Sequence, residues 1–375
     1  MGENRYYSHE PAIPVVSMPG DDFRAECVFK GPGFAETLYL GTSGGKRVIR
    51  KASNPDALPF SRTALVREIR LLANLPDELR TLFPPVIRTN LGGMTEDDTD
   101  LPDIIFYDMP YYEPEDGWRT LSGCFLDMSL GIEESHRIID DIVDTVFRYL
   151  RLDPRPPDDG YVERTMLSPM RESLAWAENR GEFCVLMEAG DIFVNGRHVP
   201  HTDMRLEAFR DTDKLRRMLM PRFDRFLHGD FFPENILYND RTGQWLLMDP
   251  VSVRGVFRGD FVLDLNKMDD WLSGELPALR SGSYTVECAG KTARLDIQTT
   301  DGNLINLHRL GLVGHYRERL NNSAFSDIFA EESGWEKRWR FVKAFYCICM
   351  LPLTDTRQAM ARYLLACDAL DSAGI

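Results

Sequence analysis

The stretch from Phe226 to Pro250, FLHGDFFPENILYNDRTGQWLLMDP, constrains this chain more than any other. It places Asp230, then Asn235 after four intervening residues, then Asp249 beyond a turn at Asn239 to Gly243. Apolar residues flank that turn as short strands do, so the stretch reads as a loop followed by a β-hairpin. A loop and hairpin of this length bring all three oxygen-bearing side chains to one place. His-Gly-Asp alone is most often a turn with a capping aspartate. With Asn and Asp-Pro at these offsets it is a much rarer string.

One chemistry uses such a set. Phosphoryl transfer needs a carboxylate that orients the attacking hydroxyl and accepts its proton, and separate oxygen ligands for the magnesium that neutralises the triphosphate. Asp230 suits the base, and Asn235 and Asp249 suit the metal. His228-Gly229-Asp230 with Asn235 and Met248-Asp249-Pro250 resembles the catalytic core of the aminoglycoside phosphotransferase and choline kinase superfamily. Its H-G-D-x-x-x-x-N loop stands where protein kinases have H-R-D. Arg254, Gly259-Asp260 and Asp264-Leu265 follow at distances that superfamily often shows, and Val251 to Lys267 particularly resembles kinase-like proteins encoded with bacterial polysaccharide genes.

The resemblance implies an α+β, bilobal protein-kinase-like fold, with a small antiparallel-sheet N-lobe and a larger, mainly helical C-lobe. It implies transfer of the γ-phosphate of ATP, with GTP the alternative nucleotide, to a hydroxyl of a small molecule, with Mg²⁺ as cofactor. In such a fold His228 buttresses its loop, and Asp264 positions that loop in preference to touching substrate. Asp264, Asp269, Asp270 and Trp271 are candidates for lining the acceptor region. Asp269-Asp270 would attract a cationic amine, although a charge pair on a helix is more often a solvated face. Trp335 and Trp339, four apart, read as core.

The N-terminal region adds a second group of candidates. Glu26 to Lys51 alternates in short runs broken by glycines and reads as three antiparallel strands, with a tight turn at Ser43-Gly44-Gly45. Ser61 to Leu75 has apolar Leu65, Ile69 and Leu72 at helical spacing and a serine suited to capping, and Ile104 to Met109 reads as a buried strand closed by Pro110. The superfamily's fold calls for a strand lysine on the nucleotide phosphates and a helix glutamate to hold it. Lys51 shares a face with Ile49 and is preferred to Arg50, which points the opposite way; Glu68 is its partner. Gly31 and Gly33 fall where a loop covers the phosphates. Phe106 to Pro110, with Asp108 and Met109, is the connector whose backbone would meet the adenine edge.

These assignments divide the chain into 1–110, the nucleotide-binding lobe, and 111–375, the catalytic and substrate-binding lobe, with an inserted hairpin near 283–300. Helical patterns run Glu133 to Leu150, Ser168 to Asn179, from Asp211, Leu307 to Leu320, Glu336 to Met350 and Asp355 to Asp371. The net charge of −15 argues against nucleic acid as a partner and sits more easily with a neutral or cationic acceptor. No run reaches the length of a membrane span, the first residues carry no targeting pattern, and seven scattered cysteines form no framework of staples. A cytoplasmic location with reduced thiols is the expectation. Two other classes compete. A protein kinase should carry D-F-G and A-P-E segments, but Asp249 is followed by Pro250 and no A-P-E occurs. A catalytically inactive nucleotide-binding scaffold should have lost a base or ligand that this chain retains.

Overall fold

The computed structural model describes residues 22–29, 36–54, 60–95, 97–200, 210–252, 257–321 and 325–375. The chain divides into two compact units, Met1–Leu121 with Glu234–Phe257, and Ser122–Pro233 with Arg258–Ile375.

The first unit is built on strands β1 (Arg24–Phe29), β2 (Glu36–Ser43), β3 (Lys46–Ser53), β4 (Arg88–Thr89) and β5 (Phe106–Pro110), paired antiparallel in the order β1-β2-β3-β5-β4. Gly44 and Gly45 turn β2 into β3 at φ of +57° and +73°, a conformation that glycine adopts without strain. Alternation gives β3 two unlike faces. Val48 and Ala52 pack with Phe23, Tyr39 and Phe106 on one. Between them the Arg50 guanidinium lies 3.9 Å from the centre of the Phe23 ring and 3.8 Å from that of Phe106.

On the opposite face Ile49 meets helix α1 (Ser61–Ala73), whose Leu65, Val66 and Ile69 form a core with Leu91, Ile105, Tyr107 and Met109. Ser61 does not cap this helix. Phe60 occupies the capping position with helical backbone angles, and the Ser61 hydroxyl, one residue too late to reach back, is buried without a hydrogen-bond partner among the described residues.

The hairpin that carries Asn235 and Asp249 at its ends belongs to this unit. Ile236–Asn239 pairs with Trp245–Leu247 and also with β6 (Trp118–Thr120), and the Leu247 N–H donates to the Leu82 carbonyl at 2.7 Å. All three strands of this small sheet lie beyond Pro110 in the sequence.

The second unit is mainly helical. Its principal helices are α2 (Ile132–Leu150), α3 (Val262–Leu272), α4 (Glu275–Ser281), α5 (Trp335–Cys349) and α6 (Thr356–Ala373), with α5 packed on both α3 and α6. The helix expected over Leu307 to Leu320 is interrupted at Gly311, whose φ of +64° ends one segment and begins the next. The expected hairpin near 283–300 forms, as β9 (Tyr284–Ala289) and β10 (Thr292–Ile297), but it is no isolated insert. A second hairpin, β7 (Asp191–Val194) and β8 (Arg197–Pro200), pairs with it in the order β9-β10-β7-β8, and the sheet packs on α6. All seven cysteines are free thiols, and no described helix is long and apolar enough to cross a membrane.

Candidate active site

In the first unit three side chains from separate elements converge. Lys51 of β3 places its Nζ 2.7 Å from Glu68 Oε2 of α1 and also pairs with Asp249 Oδ1. The Tyr107 hydroxyl of β5 donates to the other Glu68 oxygen at 2.7 Å. Lys51 and Glu68 are each 4% exposed. Burial pushes the Glu68 carboxyl up to about 7, even though Lys51 draws it down. Burial alone would lower the Lys51 ammonium, but Asp249 and Glu68 override it and hold it well above its ordinary range. Asp249 is not buried to the same degree: its side chain is 45% exposed, at a φ of +58° rare for a residue with a Cβ. That sparsely populated backbone turns Asp249 out of the hairpin and onto Lys51.

Asn235 precedes the first strand of the hairpin, and its carbonyl accepts from the Met248 N–H at 2.8 Å, so Asn235 and Asp249 flank the open end of the hairpin. No group of three His, Cys, Asp or Glu that could hold a metal occurs among the described residues. One amide and one carboxylate still fit magnesium, which takes few protein oxygens and completes its octahedron with phosphates and water.

In the second unit, Gly229 at a φ of +83° bends the 228–230 loop over Asp264 of α3. Asp264 accepts from the His228 N–H at 2.7 Å and the Gly229 N–H at 2.8 Å, one on each oxygen. Both Asp264 and His228 are fully buried, and burial raises the Asp264 carboxyl to about 6 against the pull of those two N–H groups. The His228 ring accepts the Asp230 N–H on Nδ1 at 3.3 Å.

Sequence reasoning assigned no role to Lys267. One turn beyond Asp264, it donates to the Gly229 carbonyl at 2.9 Å and pairs with Asp230 Oδ1, its charge 4.6 Å from the centre of the Tyr346 ring. Its three-residue spacing from Asp264, which puts the two on one helix face, was the available signal.

Several of the other candidates are engaged by protein partners. The Asp108 carboxylate is not available to a ligand: it is fully buried in a two-pronged ion pair with Arg50, at 2.7 and 2.8 Å. Met109 packs in the α1 core with its backbone opposite Ile49, while β4 reaches along β5 only as far as Asp108. Asp269 is engaged by both prongs of Arg317, at 2.7 and 2.8 Å, and Asp270 lies 3.9 Å from the Lys343 ammonium. Trp271 is fully buried, with its ring 6.4 Å from that of Phe125. Trp335 and Trp339 meet edge to face, with Phe329 beside the first. Gly31, Gly33 and Arg254 lie outside the described residues.

A buried strand lysine shared by a helix carboxylate and the aspartate after a hairpin, with a His-Gly-Asp loop held from beneath by a second aspartate, agrees with the family comparison. The model of the phosphotransferase enzyme family, APH, matches residues 32–249, more than half of the chain. The chain belongs to this family. It is an ATP-dependent small-molecule phosphotransferase.

Among solved structures, a thermostable mutant of the aminoglycoside phosphotransferase APH(4)-Ia, in ternary complex with AMP-PNP and hygromycin B, aligns with a TM-score of 0.53 at 11% identity, over 94% of this chain and 95% of that one. A Ralstonia eutropha protein described as an aminoglycoside phosphotransferase aligns at 0.46 and 12% identity, over 94% and 93%. The microcompartment-associated aminopropanol kinase aligns at 0.40 and 15%, over 94% and 90%. The first likeness shows the kinase-like bilobal fold; the other two add nothing to it. No curated protein matches the sequence of this chain.

Proposed function

We propose that this APH-family enzyme transfers the γ-phosphate of ATP, with Mg²⁺, to a hydroxyl of a small molecule, using Asp230 as the base. The observation that carries the reading is the convergence of Glu68 and Asp249 on the Lys51 ammonium, which holds a cation and a metal-binding carboxylate ready for a triphosphate. Asn235 and Asp249 would hold Mg²⁺, whose chemistry there is to neutralise phosphate charge. Lys51, fixed by Glu68 and Tyr107, steadies the nucleotide phosphates. Asp230 orients the acceptor hydroxyl for in-line attack and takes its proton, on a loop that Asp264 fixes through two backbone N–H bonds.

The test is ADP release with ATP and Mg²⁺ across sugars, aminoglycosides, nucleosides and amino alcohols, with Asp230→Ala beside the native chain. Acceptor-stimulated release that falls roughly 100- to 10,000-fold in the variant, with its fold intact, is the expected result. Release that persists in Asp230→Ala removes the assigned base.

A further inference from the structure

The Asp230 loop grows out of a β-ladder too short to fix its own alignment. Arg225–Phe226 pairs antiparallel with Arg258–Gly259 through two residue pairs, Arg258 with Phe226 and Gly259 with Arg225. The first strand runs into His228-Gly229-Asp230, and the second runs into α3, which carries Asp264 and Lys267. A slip of one residue in this ladder would shift Asp264 by about 3.3 Å relative to the loop. That distance is enough to lose both N–H bonds to Asp264, from His228 at 2.7 Å and from Gly229 at 2.8 Å. Two residue pairs do not hold a register unaided.

Two ties reach the ladder from its flanks. The outer one is Arg258, which donates to the carboxylate and the carbonyl of Asp224, with both side chains 23% exposed and open to water. The inner one is dry. Arg338 of α5 places Nε 2.6 Å from Asp260 Oδ2 and Nη2 2.9 Å from Glu332 Oε2. Asp260 directly follows the second strand, and its other oxygen accepts the Val262 N–H at 3.3 Å, where α3 begins. Glu332 accepts the Arg222 and Phe223 N–H groups at 2.9 and 3.0 Å, on the segment that enters the first strand. Asp260 and Glu332 are fully buried, and Arg338 is 1% exposed. Arg225, 3.0 Å from Glu331 and 3.8 Å from Glu332, is the second cation of the group. A Cβ on Gly259 would lie 2.8 Å from the Tyr161 hydroxyl, which accepts the Asp260 N–H at 2.7 Å, so Gly259-Asp260 is also held from the side of Tyr161.

Charges buried this completely are a poor source of stability, because desolvation offsets their attraction, and burial raises both carboxyls even with Arg338 beside them. A fixed set of such pairs selects one arrangement over its neighbours. We propose that Arg338 is a positioning residue for the base: by joining Asp260 to Glu332 it locks the two strands in the register that seats Asp264 beneath His228 and Gly229, and so holds Asp230 where the acceptor hydroxyl meets it. The proposal rests on Asp230 being the base and names what keeps it in place.

The full chain is followed by amide hydrogen exchange, which needs no acceptor. ADP release is measured beside it, with ATP, Mg²⁺ and whichever sugar, aminoglycoside, nucleoside or amino alcohol the native enzyme uses fastest. Arg338→Met leaves two carboxylates buried without their cation and should unfold readily. The deciding protein is therefore the triple variant Asp260→Asn/Arg338→Met/Glu332→Gln, which carries none of the three charges but keeps an amide oxygen at each carboxylate position. It should melt close to the native enzyme while the His228 and Gly229 N–H groups exchange about tenfold faster or more. Its kcat should fall about 10- to 100-fold with the KM for ATP unchanged. Arg338→Lys, which keeps the charge but not the fork, should fall between the triple variant and the native enzyme. Native exchange at 228–229 with native kcat in the triple variant overturns the proposal. So does a raised KM for ATP with kcat unchanged. A triple variant that melts far below the native enzyme, or that exchanges faster evenly across the second unit, overturns it as well, since the group then serves the fold at large. Failure of the underlying reading shows separately, as ADP release that does not depend on Asp230 while the loop still loses protection in the triple variant.

Discussion

Each unit uses a lysine to hold a carboxylate, and the two grips differ. Lys51 is buried to 4% exposure between two carboxylates, one of which Tyr107 orients from a third element. Lys267 pairs with Asp230 and donates to the Gly229 carbonyl in the same loop, with the Tyr346 ring beside its charge. The first arrangement fixes the cation and offers it to something else. The second fixes the carboxylate, with the lysine as the support. Burial alone does not distinguish a site from a scaffold: Arg50, the residue before Lys51, is more deeply buried and just as well paired, but its partner Asp108 and the Phe23 and Phe106 rings enclose it completely.

The comparison breaks first at Lys51. Lys51→Met should lower kcat/KM for ATP roughly 100- to 1,000-fold, because the lost charge acts on the phosphates directly. Its melting temperature should also fall, since Glu68 is left buried without its cation. Steady-state kinetics with varied ATP and a thermal melt check both. If Lys267 acts only by holding Asp230, Lys267→Met should lower kcat about 10- to 100-fold and leave the KM for ATP unchanged, the size expected for losing one charged hydrogen bond. A rise in that KM instead would place Lys267 on the nucleotide and erase the distinction between the two lysines.

The sheet of the first unit was readable because alternation and the Gly44-Gly45 turn fix strand faces locally, and the meeting of Lys51 with Glu68 follows from those faces plus helical spacing. What escaped depends on packing across long sequence separations. An extended run such as Phe106 to Pro110 shows that Asp108 lies in a strand, but not that Arg50 across the sheet claims its carboxylate. Lys267 sits on an ordinary amphipathic face until the 228–230 loop is laid against α3. Asp269 and Asp270 look like a solvated acidic pair until Arg317 and Lys343 arrive from later helices. One omission had a local signal: Asn195-Gly196, at φ of +49° and +77°, is a favoured hairpin turn and connects β7 to β8.

The last and smallest expected effect uses pH to separate the two grips. Glu68 has a folded-state value near 7, raised from an ordinary 4.5 by burial, so the folded protein keeps a proton there that the unfolded chain has lost. The unfolded state binds fewer protons between those values, and stability therefore declines as pH climbs from about 4.5 to about 7 and levels off above. The same climb charges Glu68 and tightens its hold on Lys51, so nucleotide use should improve across the window in which the fold weakens. Glu68→Gln carries no proton to lose. Its kcat/KM for ATP should be about tenfold below native at pH 8, and the part of the native acid limb centred near 7 should vanish. Its melting temperature should fall less than the native one between pH 5 and pH 8. An unchanged limb in Glu68→Gln would move the titration to Asp264, whose carboxyl is raised to about 6, and make the His228-Gly229 cradle, rather than the Lys51 cluster, the pH-sensitive half of the machinery.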